Sequence, residues 1–392
     1  MAAIRFDEQG REVHLRTCPL CEAMCGLEVH VADGTVELIR GDRDDVWSKG
    51  YLCPKGTALG HLHHDPDRLR APVLRRPDGS FEEVGWEEAF DRCSELLHPV
   101  IEEHGIESVT AYVGNPLAHA IGLSRYIGIL IGMSGIPMIY SPGTVDQWPK
   151  NVSSHLLYGS MWTIPVPDVR RTDLLVVMGA NPHASQGSLL ACPDVMGELE
   201  SIIGRGGEVV VVDPRRTGTA EAASEWVPIT PGTDAALLLA VCQVLFDENL
   251  VDCGPTGRLL DGVGEIARLV ASWTPERVAP VTGIAAERIR RLARQLAGTE
   301  RAAVYGRIGL CNQEFGTLAS WLVDVVNALT GHLDAVGGSM FPKAAAWPVA
   351  SLPMEGLEGG AANFGRWHSR VRGAPEVLGH VPASCLAEEI AT

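Results

Sequence analysis

The sequence predicts an α/β protein in which a small, β-rich N-terminal domain precedes doubly wound parallel-sheet domains. Three observations support this prediction. Four of the ten cysteines lie before residue 54, in a segment of short strands. Valine- and leucine-rich runs such as "DLLVVM" then recur, each followed by a helical pattern. No apolar run reaches the length of a membrane span. Continuous apolar strands that alternate with helices indicate a parallel sheet covered on both faces.

Length and charge exclude several classes of protein. A chain of 392 residues is long enough for two or three domains. Its net charge of −17 argues against nucleic-acid binding, which requires a basic face. The N-terminal stretch "MAAIRFDEQGREVH" has no basic segment followed by an apolar one and no twin arginine. We therefore expect a cytoplasmic protein without membrane insertion.

The N-terminal domain is predicted from a cluster of thiols with the spacing Cys-x2-Cys-x3-Cys-x27-Cys. Its members are Cys18, Cys21, Cys25 and Cys53. Two short strands, 27–31 and 36–40, joined by a turn at Asp33-Gly34, would return the chain so that the last thiol meets the first three. Four converging thiolates suit Zn²⁺ or a [4Fe–4S] cluster. Three bunched ligands and a remote one followed by Pro54 favour the cluster over zinc.

Lys55 stands two residues after the last of these thiols. It is either a solvated surface lysine or a cation held beside an anionic cluster, where it would ease the passage of electrons. Its position alone does not decide between the two.

The remaining elements follow in order along the chain. A Pro- and Arg-rich linker begins near Asp65, and the pattern after it predicts alternating helices and strands. The predicted elements are a helix over 89–103, a strand at 109–113, a helix over 119–133, strands within 173–182 and 208–217 with a helix over 195–203 between them, a strand in "EWVPIT", a helix after Thr233 and Asp234, a helix in "ERIRRLARQLA", a strand at 302–305 and a helix over 321–329.

Glycines and polar residues recur just after the predicted strands, where parallel sheets bind ligands. The set comprises Gly179, Asn181, Asp213, Arg215, Arg216, Thr217, Gly232, Asp234, Gly309 and Gln313. Glycines allow close backbone approach, carboxylates bind ribose hydroxyls or a guanine edge, and arginines and helix N-termini hold phosphate. Each residue alone is also explained as a turn or cap. Their recurrence indicates a nucleotide-bearing cofactor, although neither GxGxxG nor a P-loop is present.

The cysteine motif with "CPKG", followed by "GANP", "VDPRRT", "PGTDAALLLA" and "LTGHLDAVGG" in that order, resembles the bis-molybdopterin oxidoreductases. This is the dimethyl-sulfoxide-reductase superfamily, which includes formate dehydrogenases and nitrate reductases. The resemblance extends from Thr17 to Gly338. It implies a [4Fe–4S] cluster on the four cysteines, with Lys55 in the electron-relay position. It also implies molybdenum or tungsten bound by bis-molybdopterin guanine dinucleotide.

The resemblance further implies a set of cofactor contacts and a division into domains. The contacts are Asn181, Asp213, Thr217, Gly232, Asp234 and Gly309, to which the strand-end pattern adds Arg215 and Gln313. The domains are a [4Fe–4S] domain over 1–64, a partial α/β domain formed by 65–140 with 335–392, and a Rossmann-like dinucleotide-binding domain over 141–334.

A protein ligand to the metal is expected in the loop before "GANP". Family members use Cys, selenocysteine, Ser or Asp there, and this loop contains no cysteine. Aligning "DQWP" with the family's Cys-x-x-Pro pattern places Asp146 at the ligand position, and a carboxylate suits a hard, high-valent metal. The alternative is that Asp146 caps the helix starting near Trp148. Gln147 and Cys192 are weaker candidate ligands.

The function implied is two-electron redox or oxo transfer on a small-molecule substrate, with electrons relayed through the cluster to a partner protein. Family catalytic subunits are usually longer, and the stretch "SCLAEEIAT" resembles the middle of a domain. We therefore expect a truncated product, a fragment, or half of a split enzyme. In the last case a separate chain supplies the closing C-terminal domain. Two alternatives remain: a non-redox hydratase on the same scaffold, and a non-catalytic iron–sulfur electron-transfer or assembly subunit.

Overall fold

The computed structural model of the protein describes residues 5–343 and 364–392. The chain forms two compact units. The first comprises Met1–Ser141, Trp367–Ala374 and Gly379–Thr392, and the second comprises Pro142–Arg366 and Pro375–Leu378. The division into three domains stays a prediction.

The first unit begins with a four-stranded antiparallel sheet in the order β1-β2-β3-β4. Its strands are β1 (Arg5–Phe6), β2 (Glu12–Thr17), β3 (Gly26–Ala32) and β4 (Thr35–Gly41). The turn between β3 and β4 has positive φ at both Asp33 (48°) and Gly34 (76°), which suits a tight hairpin. The predicted hairpin is therefore present.

The elements that follow in this unit are two short helices, a small hairpin, and an α/β segment. They are α1 (Pro54–Thr57), α2 (Leu59–His64), β5 (Val73–Arg75), β6 (Phe81–Glu83), α3 (Trp86–His104), β7 (Thr110–Tyr112), α4 (Ile121–Ser134) and β8 (Met138–Ser141). The helix predicted from residue 119 begins two residues later, because Asn115–Ala118 forms a separate 3-10 turn.

The second unit is built on a parallel sheet in the order β12-β11-β10-β13. Its strands are β10 (Leu174–Met178), β11 (Glu208–Val212), β12 (Glu225–Val227) and β13 (Ala302–Gly306), and β11 and β13 both pair with β10 in parallel register. A two-stranded antiparallel pair, β9 (Val166–Pro167) with β14 (Ser339–Met340), belongs to the same unit.

Helices of the second unit alternate with these strands. They are α5 (Trp148–Tyr158), α6 (Pro182–Ser185), α7 (Val195–Gly204), α8 (Gly218–Ala222), α9 (Asp234–Asp247), α10 (Val263–Val270), α11 (Pro275–Thr282), α12 (Ala286–Gly298), α13 (Ile308–Cys311) and α14 (Gly316–Leu329).

The last described segment contains short elements. They are β15 (Phe364–His368), β16 (Pro375–Val377), β17 (His380–Pro382) and α15 (Leu386–Ala391). In the first unit β17 pairs with β8, and β8 with β7, all in parallel.

The side chains of β10 alternate between two hydrophobic cores. Leu174, Val176 and Met178 belong to the larger core, which contains α9, α12 and α14. Leu175 and Val177 belong to the core on the other face, which contains α7. The central strand is thus buried on both faces, as its continuous apolar sequence predicts. The doubly wound fold class is confirmed.

In residues 5–343 and 364–392, no helix combines the length and the apolar character needed to cross a membrane.

Candidate functional site

The three bunched cysteines lie in one tight loop at the end of the β2–β3 ladder. The amide of Cys18 donates a hydrogen bond to the carbonyl of Cys25 at 2.8 Å, which closes the loop. Cys53 is the residue before α1, and Pro54 opens that helix at a position where its missing N–H costs nothing. All four cysteines are free thiols.

Burial controls the ionisation of Cys18 and Cys25. Burial raises the pKa of Cys18, and it raises the pKa of Cys25 to about 12, with further contributions from Cys18, Cys21 and Cys53. The four side chains therefore lie within electrostatic reach of one another. Thiolates in such a place require positive charge, which the irons of a cluster would supply. These residues fit a [4Fe–4S] cluster.

A single-ion site is a different arrangement. In the part of the chain that the structure describes, no three His, Cys, Asp or Glu side chains are grouped so that they could hold a metal ion. A [4Fe–4S] cubane is bound through four irons, so its ligands need not meet at one ion.

Lys55 lies on α1, exposed to solvent. Its positive charge lowers the pKa of Cys18, although burial outweighs it. The lysine is thus close enough to the thiols for its charge to act on them.

In the second unit the strand order reverses between β10 and β13, because β11 and β12 extend the sheet to one side of β10 and β13 to the other. Gly179 and Gly309 follow these two strands and touch: the amide of Gly309 donates to the carbonyl of Gly179 at 2.9 Å. Gly179 has φ +56°, and a Cβ there would lie 2.4 Å from the amide nitrogen of Leu310. Open α/β sheets bind their ligands at such a switch point.

A polar network follows β10 and β11. Thr219 Oγ1 donates to Asn181 Oδ1 at 2.8 Å and accepts from the amide of His183 at 3.0 Å. Thr217 is the N-cap of α8 and accepts from the amide of Ala220 at 3.2 Å. The loops after these neighbouring strands are thereby joined through Asn181 and Thr219, and Thr217 fixes the start of the helix that follows.

Two carboxylates lie close together after β11 and β12. Burial raises the pKa of Asp213, and it raises the pKa of Asp234 to about 6, helped by the charge of Asp213. Asp213 also accepts from the amide of Arg215 at 2.8 Å. Gly232 has φ +81° in the turn before α9. Carboxylates gathered at a strand end can accept hydrogen bonds from ribose hydroxyls or a guanine edge.

The remaining strand-end residues are Arg215, Arg216 and Gln313. Both arginines are exposed after β11. The side-chain amide of Gln313 makes hydrogen bonds within its own turn. Its Nε2 donates to the carbonyl of Leu310 at 3.2 Å, and its Oε1 accepts from the backbone amide of Phe315 at 2.9 Å. Gln313 therefore has a turn-forming role in this structure.

Asp146 does not cap α5. The N-cap of that helix is Gln147, and no side chain bonds there to the helix amides. Asp146 instead forms an ion pair with Arg307, with Oδ1 and Nη1 3.0 Å apart. Both atoms are buried, and neither makes an aligned hydrogen bond. The carboxylate thus retains capacity to bind a further partner.

Arg307 is a residue that the sequence reasoning missed. Its Nε and Nη2 donate to Ser188 Oγ at 3.1 and 2.7 Å, and Nη2 also approaches Gln147 Oε1 at 3.4 Å. It directly follows β13, so the strand-end criterion that selected Gly309 would also have selected it. Cys311, whose pKa is raised by burial and modulated by Arg307 and Asp146, is a second omission.

Cys192, considered as a metal ligand, belongs to a different environment. It is buried in the core that contains α7, and burial raises its pKa to about 12. The structure does not bring it to Asp146.

Comparison with known proteins gives two matches to protein families. Residues 68–387 match the molybdopterin oxidoreductase family, and residues 13–64 match the molybdopterin oxidoreductase Fe4S4 domain. These matches confirm the resemblance found in the sequence. They support a molybdenum–molybdopterin cofactor and a [4Fe–4S] cluster.

Individual proteins agree with the family matches. The chain is 27% identical to a dimethyl sulfoxide reductase of Haemophilus influenzae over 90% of this chain and 48% of that protein. It is 33% identical to a sulfite dehydrogenase of Allochromatium vinosum over 62% of this chain and 24% of that protein. Acetylene hydratase from Pelobacter acetylenicus has the same fold, with a TM-score of 0.67 at 22% identity over 81% of this chain and 43% of that one.

The chain spans about half or less of the length of these relatives. The family match nevertheless includes most of its own residues. With its Fe4S4 domain and its doubly wound second unit, the chain belongs to the molybdopterin oxidoreductase family.

Proposed function

We propose that this chain is the iron–sulfur and pterin-binding part of a catalytic subunit that carries out two-electron redox chemistry or oxo transfer on a small molecule. The observation that carries the proposal is the switch point, where Gly179 and Gly309 touch and polar loops from the neighbouring strands converge. A chain that also holds four free thiols near one another has the parts for both cofactors.

In the first unit Cys18, Cys21, Cys25 and Cys53 would hold the cluster. The positive charge of Lys55 acts on Cys18. It would therefore favour the reduced, more negative cluster and assist electron passage. Electrons would continue one at a time to an electron-transfer partner protein.

In the second unit the strand-end loops would hold a molybdopterin guanine dinucleotide. Because Gly179 and Gly309 carry no Cβ, the backbones of the two loops pack directly against each other at the strand ends, where a pyrophosphate would bind. Asp213 and Asp234 are the acceptors for ribose or guanine. Asn181 and Thr217 would fix the loops, Gly232 would allow the turn, and Arg215 offers a charge to phosphate. Gln313 would act by holding the turn after Gly309.

Asp146 would be the protein ligand to the metal. Its Oδ1 is paired with Arg307, and the side chain as a whole is 37% exposed, so the carboxylate has room to bind a metal on its open side. When bound, molybdenum or tungsten would supply two-electron redox chemistry at this point. Arg307 would neutralise the carboxylate and hold its loop against Ser188.

The test is the cofactor content of the anaerobically purified chain, together with a viologen-linked assay of reducible oxo compounds. We expect about four irons and four sulfides per chain, molybdenum or tungsten with pterin, and turnover. Since the relatives are longer, the assay is repeated with any separate chain that supplies a closing domain. Iron without molybdenum or tungsten in both preparations would contradict the proposal and favour an electron-transfer or assembly role. Metal with water-adding but no redox activity would indicate a hydratase.

The cytoplasmic location and the separate closing chain remain predictions of the sequence.

A further inference from the structure

A buried ion pair links α5 to α14 and has no part in the proposed function. Lys150 Nζ donates to both carboxylate oxygens of Asp324, at 2.7 and 2.6 Å. The two side chains are only 9% and 2% exposed. Burying two charges costs several kcal/mol of desolvation, and an apolar pair of the same size often does as well for stability. The pair therefore calls for a reason other than packing.

A third polar group lies beside the carboxylate. Tyr158 is the last residue of α5. Burial raises the pKa of its hydroxyl, and the charge of Asp324 raises that pKa further. Its hydroxyl oxygen is buried and makes no aligned hydrogen bond. Tyr158 and Asp324 both line a cavity of about 270 Å³ whose other walls are mostly apolar, among them Trp321 and Phe341. Tyr158, Asp324 and Lys150 thus form a row of polar groups. At its Tyr158 end this row reaches a space large enough for several waters.

On the other side the row meets a much smaller cavity. Lys150, Asp324 and Ser320 line a space of about 20 Å³, together with Tyr305 and Gly306 at the end of β13. A space of that size, with polar groups around it, holds about one water molecule. Gly306, which lines this cavity, directly precedes Arg307 in the chain.

Charged and titratable groups lie around Lys150, the inner residue of this row. Cys311 feels the charges of Lys150, Arg307 and Asp146. Its sulfur lies 3.5 Å from Ser320 Oγ, which lines the small cavity. The inner end of the row therefore lies in the neighbourhood of the Asp146–Arg307 pair.

We propose that Tyr158, Asp324 and Lys150 form a proton path between the larger cavity and the end of β13 where Asp146 and Arg307 lie. The inference rests on the proposed function, because two-electron redox or oxo transfer at a buried metal must take up or release protons. Tyr158 and Asp324 share the wall of the larger cavity, Lys150 donates to Asp324, and Lys150 and Asp324 both line the smaller cavity.

The transfer leaves every residue of the path unchanged. Lys150 passes a proton to the water of the small cavity. Asp324 then hands a proton to Lys150 as it accepts the Tyr158 hydroxyl proton, and in the same movement Tyr158 accepts one from water in the larger cavity. One proton is moved inward, no bond other than O–H and N–H changes, and oxidation of a substrate runs the same steps outward.

The test measures proton uptake without any substrate. The loaded protein is mixed with reduced methyl viologen, a one-electron donor that releases no protons, in weak buffer with an indicator dye. Electron arrival is followed by viologen bleaching and proton uptake by the dye. In Tyr158→Phe we expect proton uptake to be slowed about tenfold or more while iron and molybdenum contents stay at wild-type values. Tyr126→Phe, which removes an exposed hydroxyl on α4, is the matched control and should be unchanged.

A second variant guards against misfolding. Lys150→Met with Asp324→Leu removes both charges together, so it leaves no unpaired buried ion. It should fold, load metal and show the same slow proton uptake. Wild-type proton kinetics in both loaded variants would overturn the path and leave the proposed function standing. A wild-type protein that binds no molybdenum or tungsten would refute both.

Discussion

At the scale of single residues, the pairing of Asp146 with Arg307 bears on the two roles considered for Asp146, which are metal ligand and helix cap. A helix cap would bond to amides of α5, and Asp146 does not. Its partner is a guanidinium whose side chain is 5% exposed, while Asp146 itself is 37% exposed. The pair is thus open on the carboxylate side, where a metal could approach.

The first prediction is that Asp146→Ala changes the coordination of the bound metal. X-ray absorption should lose one oxygen ligand, with the iron–sulfur signal unchanged. The variant also leaves Arg307 without its counter-ion, which should cost about 1–2 kcal/mol because the pair is only partly buried.

A double variant separates the two effects. Asp146→Ala with Arg307→Met restores charge balance, so its stability should return towards that of the wild type while the metal signal stays altered. If the double variant regains the wild-type absorption spectrum, Asp146 is not a ligand and only balances Arg307.

The second prediction concerns Asp234, whose pKa burial raises to about 6 from an ordinary value of 3.8. A carboxyl with a raised folded-state pKa favours folding at low pH, and that contribution is lost as the pH rises through about 6. In cofactor-free protein, Asp234→Asn should gain stability relative to wild type between about pH 4 and pH 7. The gain should reach at most about 3 kcal/mol.

The measurement is urea unfolding at several pH values. Asp247→Asn, at the exposed far end of α9, is the control and should show no such slope. A flat difference between wild type and Asp234→Asn across this pH range would refute the assigned environment.

Residue roles were only partly predictable from the sequence. The strand-end criterion found Gly179, Asp213 and Asp234, because position along the chain is enough to place a residue at the end of a strand. It could not find the Lys150–Asp324 pair, since the two residues meet only through the packing of α5 against α14. Nor could it show that Gln313 is used by its own turn. The site assignments themselves remain predictions.

At the scale of elements, the contact between the loops after β10 and β13 is tightly constrained. Both backbones approach at Gly179 and Gly309, and a side chain on either would meet main-chain atoms. Main chain cannot move aside as a flexible side chain can.

The third prediction is that Gly179→Ala destabilises the second unit by at least about 2 kcal/mol, from the left-handed φ and the clash with Leu310 together. The control is Gly204→Ala at the end of α7, where a Cβ meets nothing within 4 Å. That variant should be neutral or slightly stabilised. Equal unfolding midpoints for the two variants would show that the loops can separate.

The elements were predictable because their patterns are strong. The valine-rich β10 and β11 are buried on both faces, and such strands leave a continuous apolar run. Element ends were less predictable: the sequence placed this strand within 208–217, but β11 ends at Val212. Asp213 is the first residue after the strand, and its carboxylate accepts a hydrogen bond from the backbone amide of Arg215.

At the scale of the whole molecule, the proposed function assigns different parts of the chemistry to the two compact units. The fourth prediction is that Cys53→Ser weakens only the first. Iron and sulfide should fall sharply, and the thermal transition of that unit should move to lower temperature, since bound clusters add their binding energy to folding. Pterin and molybdenum contents should stay near wild type.

Calorimetry with metal analysis checks this prediction. Cys242→Ser, a buried thiol in the larger core of the second unit, is the matched control. It should lower the other transition and leave iron unchanged. Loss of both transitions in Cys53→Ser would mean that the units do not fold independently.

The pairing of β10 with β13 also has a consequence for synthesis on the ribosome. Leu174 pairs with Ala302, about 130 residues later in the chain. At about 5–20 residues per second, the valine-rich edge of β10 is exposed for roughly 6–26 s before its neighbour emerges. Unpaired apolar strand edges are sites of aggregation. Yield in a recombinant host should therefore depend on translation speed and chaperone supply over this interval, independently of iron or molybdenum supply.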